Sequence, residues 1–413
     1  MPGFLELLTP DDAIGKFLQY LKDVKLKVEK NKTQNSLNRV LAKDIISNDD
    51  IPAFTRSTVD GFAVRSKDTF GSSDVMPAFF EVIGEIKMGK PANYQLSTGQ
   101  ACLIHTGGML PDGADSVVMV EHTQYSNAGE IEVYKAISSG ENVILKGEDI
   151  QQGNQVITCG TLIRASEIGA LMALGITDIE IYELPRIGII STGDEVVMPD
   201  KIPDLGQVRD INSFSLSAIV EKLGGIPRTY PIVKDDREQL IDMLKTAFEE
   251  NDLLIVTAGS SASVRDLTAD VINELGTPGV LVHGINVRPG KPTILAFANG
   301  KPIIGLPGNP VSAFVIAHLI LGKIMHVLRG EIKQFSYQTF KALTTINVAS
   351  VAGREDWVPV KLLDMEKDGM KMVEPIFYKS NLIFSLLTAI GLARIEPDVT
   401  GLEAFSEVEV FII

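Results

Sequence analysis

Three loops in the middle of the chain carry residues whose types and spacing suit binding of ions and oxyanions. Thr192-Gly193-Asp194-Glu195 puts two adjacent carboxylates after a tight glycine turn. One could ligate Mg²⁺ while the other orients a water or a ligand, or both could be solvated loop acids. Further on, Ala258-Gly259-Ser260-Ser261-Ala262-Ser263-Val264-Arg265-Asp266 runs straight into a helical pattern, so backbone N–H groups and hydroxyls could cradle an anion at a helix start. No Gly-Lys-Ser/Thr follows, so this is not a Walker A loop, and a serine-rich turn capped by Asp266 is the plain alternative. In the third loop, Gly305 to Ser312, Asn309 suits an N-cap and Pro310 a first helical residue, leaving the N–H groups of Val311 and Ser312 free. Arg288-Pro289-Gly290-Lys291-Pro292 lies just upstream, so a local positive pocket can form there. Asp235 and Asp236 sit just ahead of another helix, where one can cap it and leave the other for function.

Such a pocket would have to be local. The 413 residues hold 38 Lys+Arg against 53 Asp+Glu, a formal charge of −15, which argues against general affinity for nucleic acid or anionic membranes. Two cysteines and five histidines are too few for a disulfide framework or a cysteine-rich zinc site, and a reducing cytosol fits best. The first residues lack the basic flank and apolar stretch of a signal peptide, so a cytoplasmic location is expected. The apolar run from Val311 to Leu328 is interrupted by Lys323, His318 and His326 and predicts a buried globular helix, not a membrane span.

The loops need a scaffold, and the pattern supplies one. Thr9 as N-cap and Pro10 at the first helical position predict an opening helix, with Ile14, Phe17, Leu18 and Leu21 on one face. From about Ile51 to Tyr134 short apolar runs (78–83, 101–104, 116–120) alternate with turn residues, the texture of a compact β-rich module. From Arg186 to Gly330 strands (186–191, 229–233, 252–257) alternate with helices (212–223, 237–249, 267–275 and one from Pro310), which predicts a parallel sheet with covered faces. β alternation returns at 344–348, 357–362 and 407–412, after a linker at 329–334. The fold class is therefore multidomain α/β plus β: a central three-layer α/β domain, a β-rich domain ahead of it and a small C-terminal β domain.

Taken together, these segments resemble the MoeA family of molybdopterin molybdenumtransferases, whose animal relative is the E domain of gephyrin. The resemblance is carried by Ser57 to Arg65 (Ser-Thr-Val-Asp-Gly-Phe-Ala-Val-Arg), His105-Thr106-Gly107-Gly108, Pro111 to Asp115, Gly147-Glu148-Asp149-Ile150, Ser191 to Glu195, Asp235-Asp236, Asp266, Pro289 to Pro292 and Leu306 to Ser312. It implies an elongated homodimer of four-domain subunits: residues 1–50 with 146–182, an inserted domain 51–145, an α/β molybdopterin-binding domain 183–330 and a C-terminal domain 331–413. It also implies insertion of molybdate into adenylylated molybdopterin with release of AMP, with Mg²⁺ required and with other cofactor-biosynthesis proteins, such as the adenylyltransferase, as partners. The cleft would lie between the α/β domain of one subunit and the inserted domain of the other. By the same resemblance Asp60, Thr106 and Asp149 are cleft residues, while Asp194, Glu195, Asp236 and Asp266 hold Mg²⁺ and the nucleotide end beside Ser260 and Ser261. Pro307 and Pro310 would shape the pterin pocket, and Arg288, Lys291, Ser312, Arg354 and Ser380 would bind the oxyanion.

Plain alternatives stand beside these roles: an Asx turn at Asp60, a turn hydroxyl at Thr106, a strand-start cap at Asp149 and a surface ion pair between Arg354 and Glu355. The sequence departs from the family pattern at Ser263 and Ile390, and Gly108 in place of alanine is expected to be harmless. Rival functions are a gephyrin-like dimeric scaffold or pterin carrier without turnover, and the preceding adenylyl transfer. Tungstate, with the same charge and shape, is an alternative to molybdate.

Overall fold

The structure is a computed structural model that describes residues 7–413 except 23, 128, 259–261 and 378; the side chains of 262–266 also lie outside the description. Helix α1, Pro10–Leu21, starts as its sequence dictates, with the Thr9 hydroxyl accepting from the Asp12 N–H at 3.2 Å. Its buried face, Ala13, Ile14, Phe17 and Leu21, joins the core of the α/β domain. Although residues 1–50 read as one unit, α1 thus packs on the α/β domain, away from residues 28–51. Those residues instead pair with the far side of an insertion: Val28–Lys32 with Asp178–Tyr182, and Ile45–Ile46 with Gln155–Ile157. Leu41, Ile157, Ile163, Ile179, Ile181 and, from helix α2 (Ala165–Ala173), Leu171 fill the small core between them.

Between these halves, six strands form one sheet in the spatial order 116–119, 61–64, 100–104, 78–86, 130–133, 123–127. Its side chains alternate between two cores, Phe62 and Val64 on one face and Ala63 on the other, as period-two pleating requires.

The α/β domain carries helices α3 (Asn212–Lys222), α4 (Arg237–Glu250), α5 (Ala262–Glu274) and α6 (Pro310–Leu328) around a six-stranded sheet. Strands Ile226–Thr229, Arg186–Ser191, Leu253–Ala258 and Lys301–Pro307 run parallel in that spatial order. Ile294–Ala298 runs antiparallel to both its neighbours, Lys301–Pro307 and the edge strand Pro278–His283, so the sheet is mixed where the strand–helix pattern predicted a parallel one. The cause is local: Asn299 and Gly300 both take positive φ (43° and 88°) and close a two-residue hairpin that reverses the chain. The apolar α6 is a core helix, with 72% of its span buried.

The C-terminal domain is a closed barrel. Strands Glu355–Lys367, Met370–Pro375, Thr339–Thr344, Glu407–Ile412 and Gly391–Ile395 pair in sequence around it, and Gly391–Ile395 pairs back onto Glu355–Lys367. Closure leaves none of these five as an open edge. Val408 and Val410 point into the barrel, whereas Phe411 points out with Trp357, at 4.8 Å between ring centroids, into the α/β core. The segment 329–334 is not a free linker: the Ile332 N–H donates to the Gly160 carbonyl, and Arg329 donates to the carbonyls of Leu223 and Asn38.

Candidate functional site

The basic turn Arg288–Pro292 is fixed from two sides. Gly290 takes φ +107°, and a Cβ there would lie 2.1 Å from Ile316 Cγ1, so the turn sits directly on α6. Val287–Arg288 forms a short parallel ladder with Glu355–Asp356, which joins the α/β domain to the barrel at this point. The result is an open pocket of about 610 Å³. Its lining includes Arg288, Lys291, Ser312, Arg354 and Ser380, all five of the residues expected to bind an oxyanion, together with Lys379 and Asp356. Four cationic side chains and two hydroxyls against one carboxylate make this a locally cationic pocket on an acidic chain, with the donor types that suit an anion.

The helix start beside it is arranged differently from the expectation. Asn309 holds the N-cap position of α6 without capping it; its side-chain amide donates to Ser380 Oγ at 3.1 Å. Nor is the first N–H free, because Val311 donates to the Ser380 carbonyl at 3.0 Å. These two bonds hold the Ser380 loop against α6 and occupy the first of the two N–H groups expected to be free. Arg354 is not a surface partner of Glu355 either. It pairs with Asp356, while Glu355 is buried and accepts from Trp357 Nε1 and Arg394. Lys379 and Asp356 were not singled out from the sequence, although each neighbours a residue that was.

A second group sits at the carboxyl ends of the parallel strands, where open α/β sheets place ligands. The Val233 N–H donates to the Ser191 carbonyl and the Gly193 N–H to the Val233 carbonyl, both at 3.0 Å, drawing the two loops together. The Asp235 N–H then reaches Asp194 Oδ1 at 3.4 Å. Burial, followed by the charges of Asp194 and Glu195, pushes the Asp235 carboxyl above its usual range. Its Oδ1 is buried without a hydrogen-bond partner, the kind of hard oxygen donor that Mg²⁺ takes, so these acids fit a divalent cation. Asp236 does something else: it is the N-cap of α4, accepting from the Gln239 N–H at 2.9 Å. The member of the pair that faces Asp194 is therefore Asp235. Among the described residues no three His, Cys, Asp or Glu side chains close into a cation cage. Ser260, Ser261 and the Asp266 side chain, expected at this end, lie outside the described residues, as does the side chain of Ser263. Pro307 pairs with Ala258 beside that loop, and Pro310 opens α6; neither lines the basic pocket.

The third group lies in the inserted domain. Asp60 Oδ1 accepts from the Thr106 N–H at 2.7 Å and from its hydroxyl at 3.1 Å, and these bonds hold the exposed carboxyl below its usual range. His105 Nδ1 lies 3.8 Å from the same oxygen. Two residues past Thr106, a Cβ on Gly108 would lie 2.9 Å from the His105 carbonyl oxygen, so alanine would require a shift there. Asp149 is exposed, on the loop whose N–H donates to the Ile51 carbonyl. Among the described residues no hydrogen bond or ion pair links this group to the α/β domain of the same chain.

Comparison with known proteins agrees along the whole chain. Family models match for the MoeA N-terminal region (domain I and II) at residues 8–175, a probable molybdopterin binding domain at 188–326 and the MoeA C-terminal region (domain IV) at 341–413. A putative molybdopterin biosynthesis protein of Methanocaldococcus jannaschii is 37% identical, covering 96% of this chain and 95% of that one. The molybdopterin molybdenumtransferase of Staphylococcus aureus is 30% identical, covering 92% and 90%. Among solved structures, a molybdopterin biosynthesis MoeA protein from Pyrococcus horikoshii matches with a TM-score of 0.82 at 34% identity over 98% of this chain and 99% of that one. With its basic pocket between the α/β domain and the barrel, its acids at the strand ends and these matches from end to end, the chain belongs to the MoeA family.

Proposed function

We propose that this protein is a molybdopterin molybdenumtransferase, which takes adenylylated molybdopterin and molybdate and releases AMP and the metal-loaded cofactor. The observation that carries this reading is the pocket where Arg288, Lys291, Arg354, Ser312 and Ser380 meet on a chain of charge −15. Molybdate is a tetrahedral dianion, and guanidinium, ammonium and hydroxyl donors complement its four oxygens. The residues act by placement and charge: the pocket sets molybdate against the dithiolene sulfurs, and no protein nucleophile is required. Asp194, Glu195 and Asp235, with Asp266, would hold Mg²⁺ at the nucleotide end; when bound, it neutralises phosphoanhydride oxygens.

Asp60 is an acceptor whose proton affinity is kept low by Thr106, so it stays ionised near neutrality. We place it, with Thr106 and Asp149, opposite the α/β domain of a second copy, which makes a homodimer the active unit. A cytoplasmic enzyme passing its product among other cofactor-biosynthesis proteins, the adenylyltransferase among them, fits the same reading. The test is reconstitution with adenylylated molybdopterin, Mg²⁺ and molybdate, run beside Asp60→Asn and Glu195→Gln. Molybdate-dependent AMP release lost in both variants supports the transferase; turnover indifferent to both sinks it.

A further inference from the structure

Asp356 is a carboxylate placed inside a pocket whose other charges are cationic, and it is the most deeply buried charged group there. Its side chain is 4% exposed, against 27% for Arg354 and 63% for Arg288. Its backbone is fixed on both flanks, by Arg288 on the parallel side and Ile395 on the antiparallel side. The carboxylate accepts from Arg354 twice, Nε to Oδ1 at 2.6 Å and Nη2 to Oδ2 at 2.9 Å. Arg288 Nη1 lies 3.8 Å from Oδ2. Residues 354 and 356 are two apart where a strand begins, so their side chains share the pocket face.

We propose that Asp356 is the positioning residue of the oxyanion pocket: it locks the Arg354 guanidinium by a two-bond fork, steers Arg288 alongside, and so presents the remaining N–H groups of both arginines to molybdate in one fixed geometry. The inference rests on the transferase reading for the identity of the anion. A lone long arginine must be ordered when the ligand arrives, at a cost in side-chain entropy. Here the fork orders Arg354 beforehand, and the planar guanidinium keeps its outer hydrogens available. Asp356 also subtracts one charge from the pocket, so on net charge alone its removal would tighten anion binding. Positioning predicts the opposite sign.

Titration of the full-length protein with molybdate, followed by calorimetry, separates the two. Asp356→Asn is expected to weaken binding about tenfold, the worth of one well-placed charge-assisted hydrogen bond. Arg354→Ala should weaken it at least as much, and the double variant should lose clearly less than the product of the two single losses, because Asp356 acts mainly through that arginine. Unchanged or tighter binding in Asp356→Asn, or a double variant whose loss is the product of the two singles, overturns the role. Should Asp356→Asn fail to fold, Arg354→Lys carries the test: it keeps the charge and loses the fork, and wild-type affinity there overturns the role too. Molybdate binding with this pattern but no AMP release removes the transferase reading and keeps the positioning role; turnover with binding indifferent to these variants does the reverse. A wild-type chain that binds no molybdate overturns both.

Discussion

Substituting Gly290 by alanine tests how the basic pocket is built. Two costs follow from the structure. At φ +107° an L-residue lies in sparsely populated backbone space, worth about 1–3 kcal/mol. The new Cβ would also come within 2.1 Å of Ile316 Cγ1 and 2.4 Å of Cδ1, and overpacking of that kind costs a further 1–3 kcal/mol or so. Gly290→Ala is therefore expected to lose about 2–6 kcal/mol, a large share of a typical domain's stability. Trp357 is the only tryptophan, it lines the same pocket and it packs on Phe411, so its emission during a urea titration reports this part of the molecule directly. Pairing the change with Ile316→Ala removes the clash but leaves the backbone strain, so the double variant should lose about 1–3 kcal/mol less than the sum of the singles. A loss under about 0.5 kcal/mol for Gly290→Ala, or strict additivity with Ile316→Ala, would refute the claim that the turn is seated on α6.

Asp235 and Asp236 should separate cleanly. Asp236→Ala removes the α4 cap and is expected to cost about 1 kcal/mol in urea titration with Mg²⁺ dependence of turnover retained; Asp235→Asn should leave stability within about 0.5 kcal/mol, or raise it by relieving like-charge crowding, while raising the Mg²⁺ concentration needed for turnover. Burial, with Lys222 nearby, pushes His318 on α6 down to about 4 from its ordinary 6.5. The unfolded chain therefore binds more protons across that window, so stability contributed by neutral His318 is present above pH 6.5 and is lost as pH falls toward 4. His318→Phe, which keeps a ring against Tyr337, should flatten the acid limb by up to about 3 kcal/mol between those limits, read as the difference in unfolding free energy between variant and parent. Gly108→Ala should destabilise the inserted domain by about 1–3 kcal/mol in thermal unfolding, since the His105 carbonyl and Ile104 leave no room for the methyl.

Local signals were the legible part of the fold. Thr9 with Pro10 marked the start of α1 and Pro310 that of α6, because caps and fixed φ act within one turn. The five residues expected to bind an oxyanion each stand in a short motif, and the structure brings them to one pocket. Long-range pairing was not legible: no residue in Glu355–Lys367 announces that it will close a barrel with Gly391–Ile395. Docking of α1 on the α/β domain was equally hidden, since its apolar face specifies burial without naming a partner. Asn299-Gly300 is a dipeptide of the hairpin type, a local signal that the strand–helix rhythm used for the sheet left out. Of the two N–H groups expected free at α6, that of Val311 is taken, because the Ser380 loop comes back to accept from it. Asp235 and Asp236 show the limit of composition, because only the chain's path decides which carboxylate caps the helix and which turns to Asp194.

The most direct test of the account is a crystal of this protein soaked in molybdate and measured at the molybdenum absorption edge. One dominant anomalous peak is expected within hydrogen-bond reach of Arg288, Lys291, Arg354 and Ser380. A peak at another site, or none there at saturating molybdate, would contradict it.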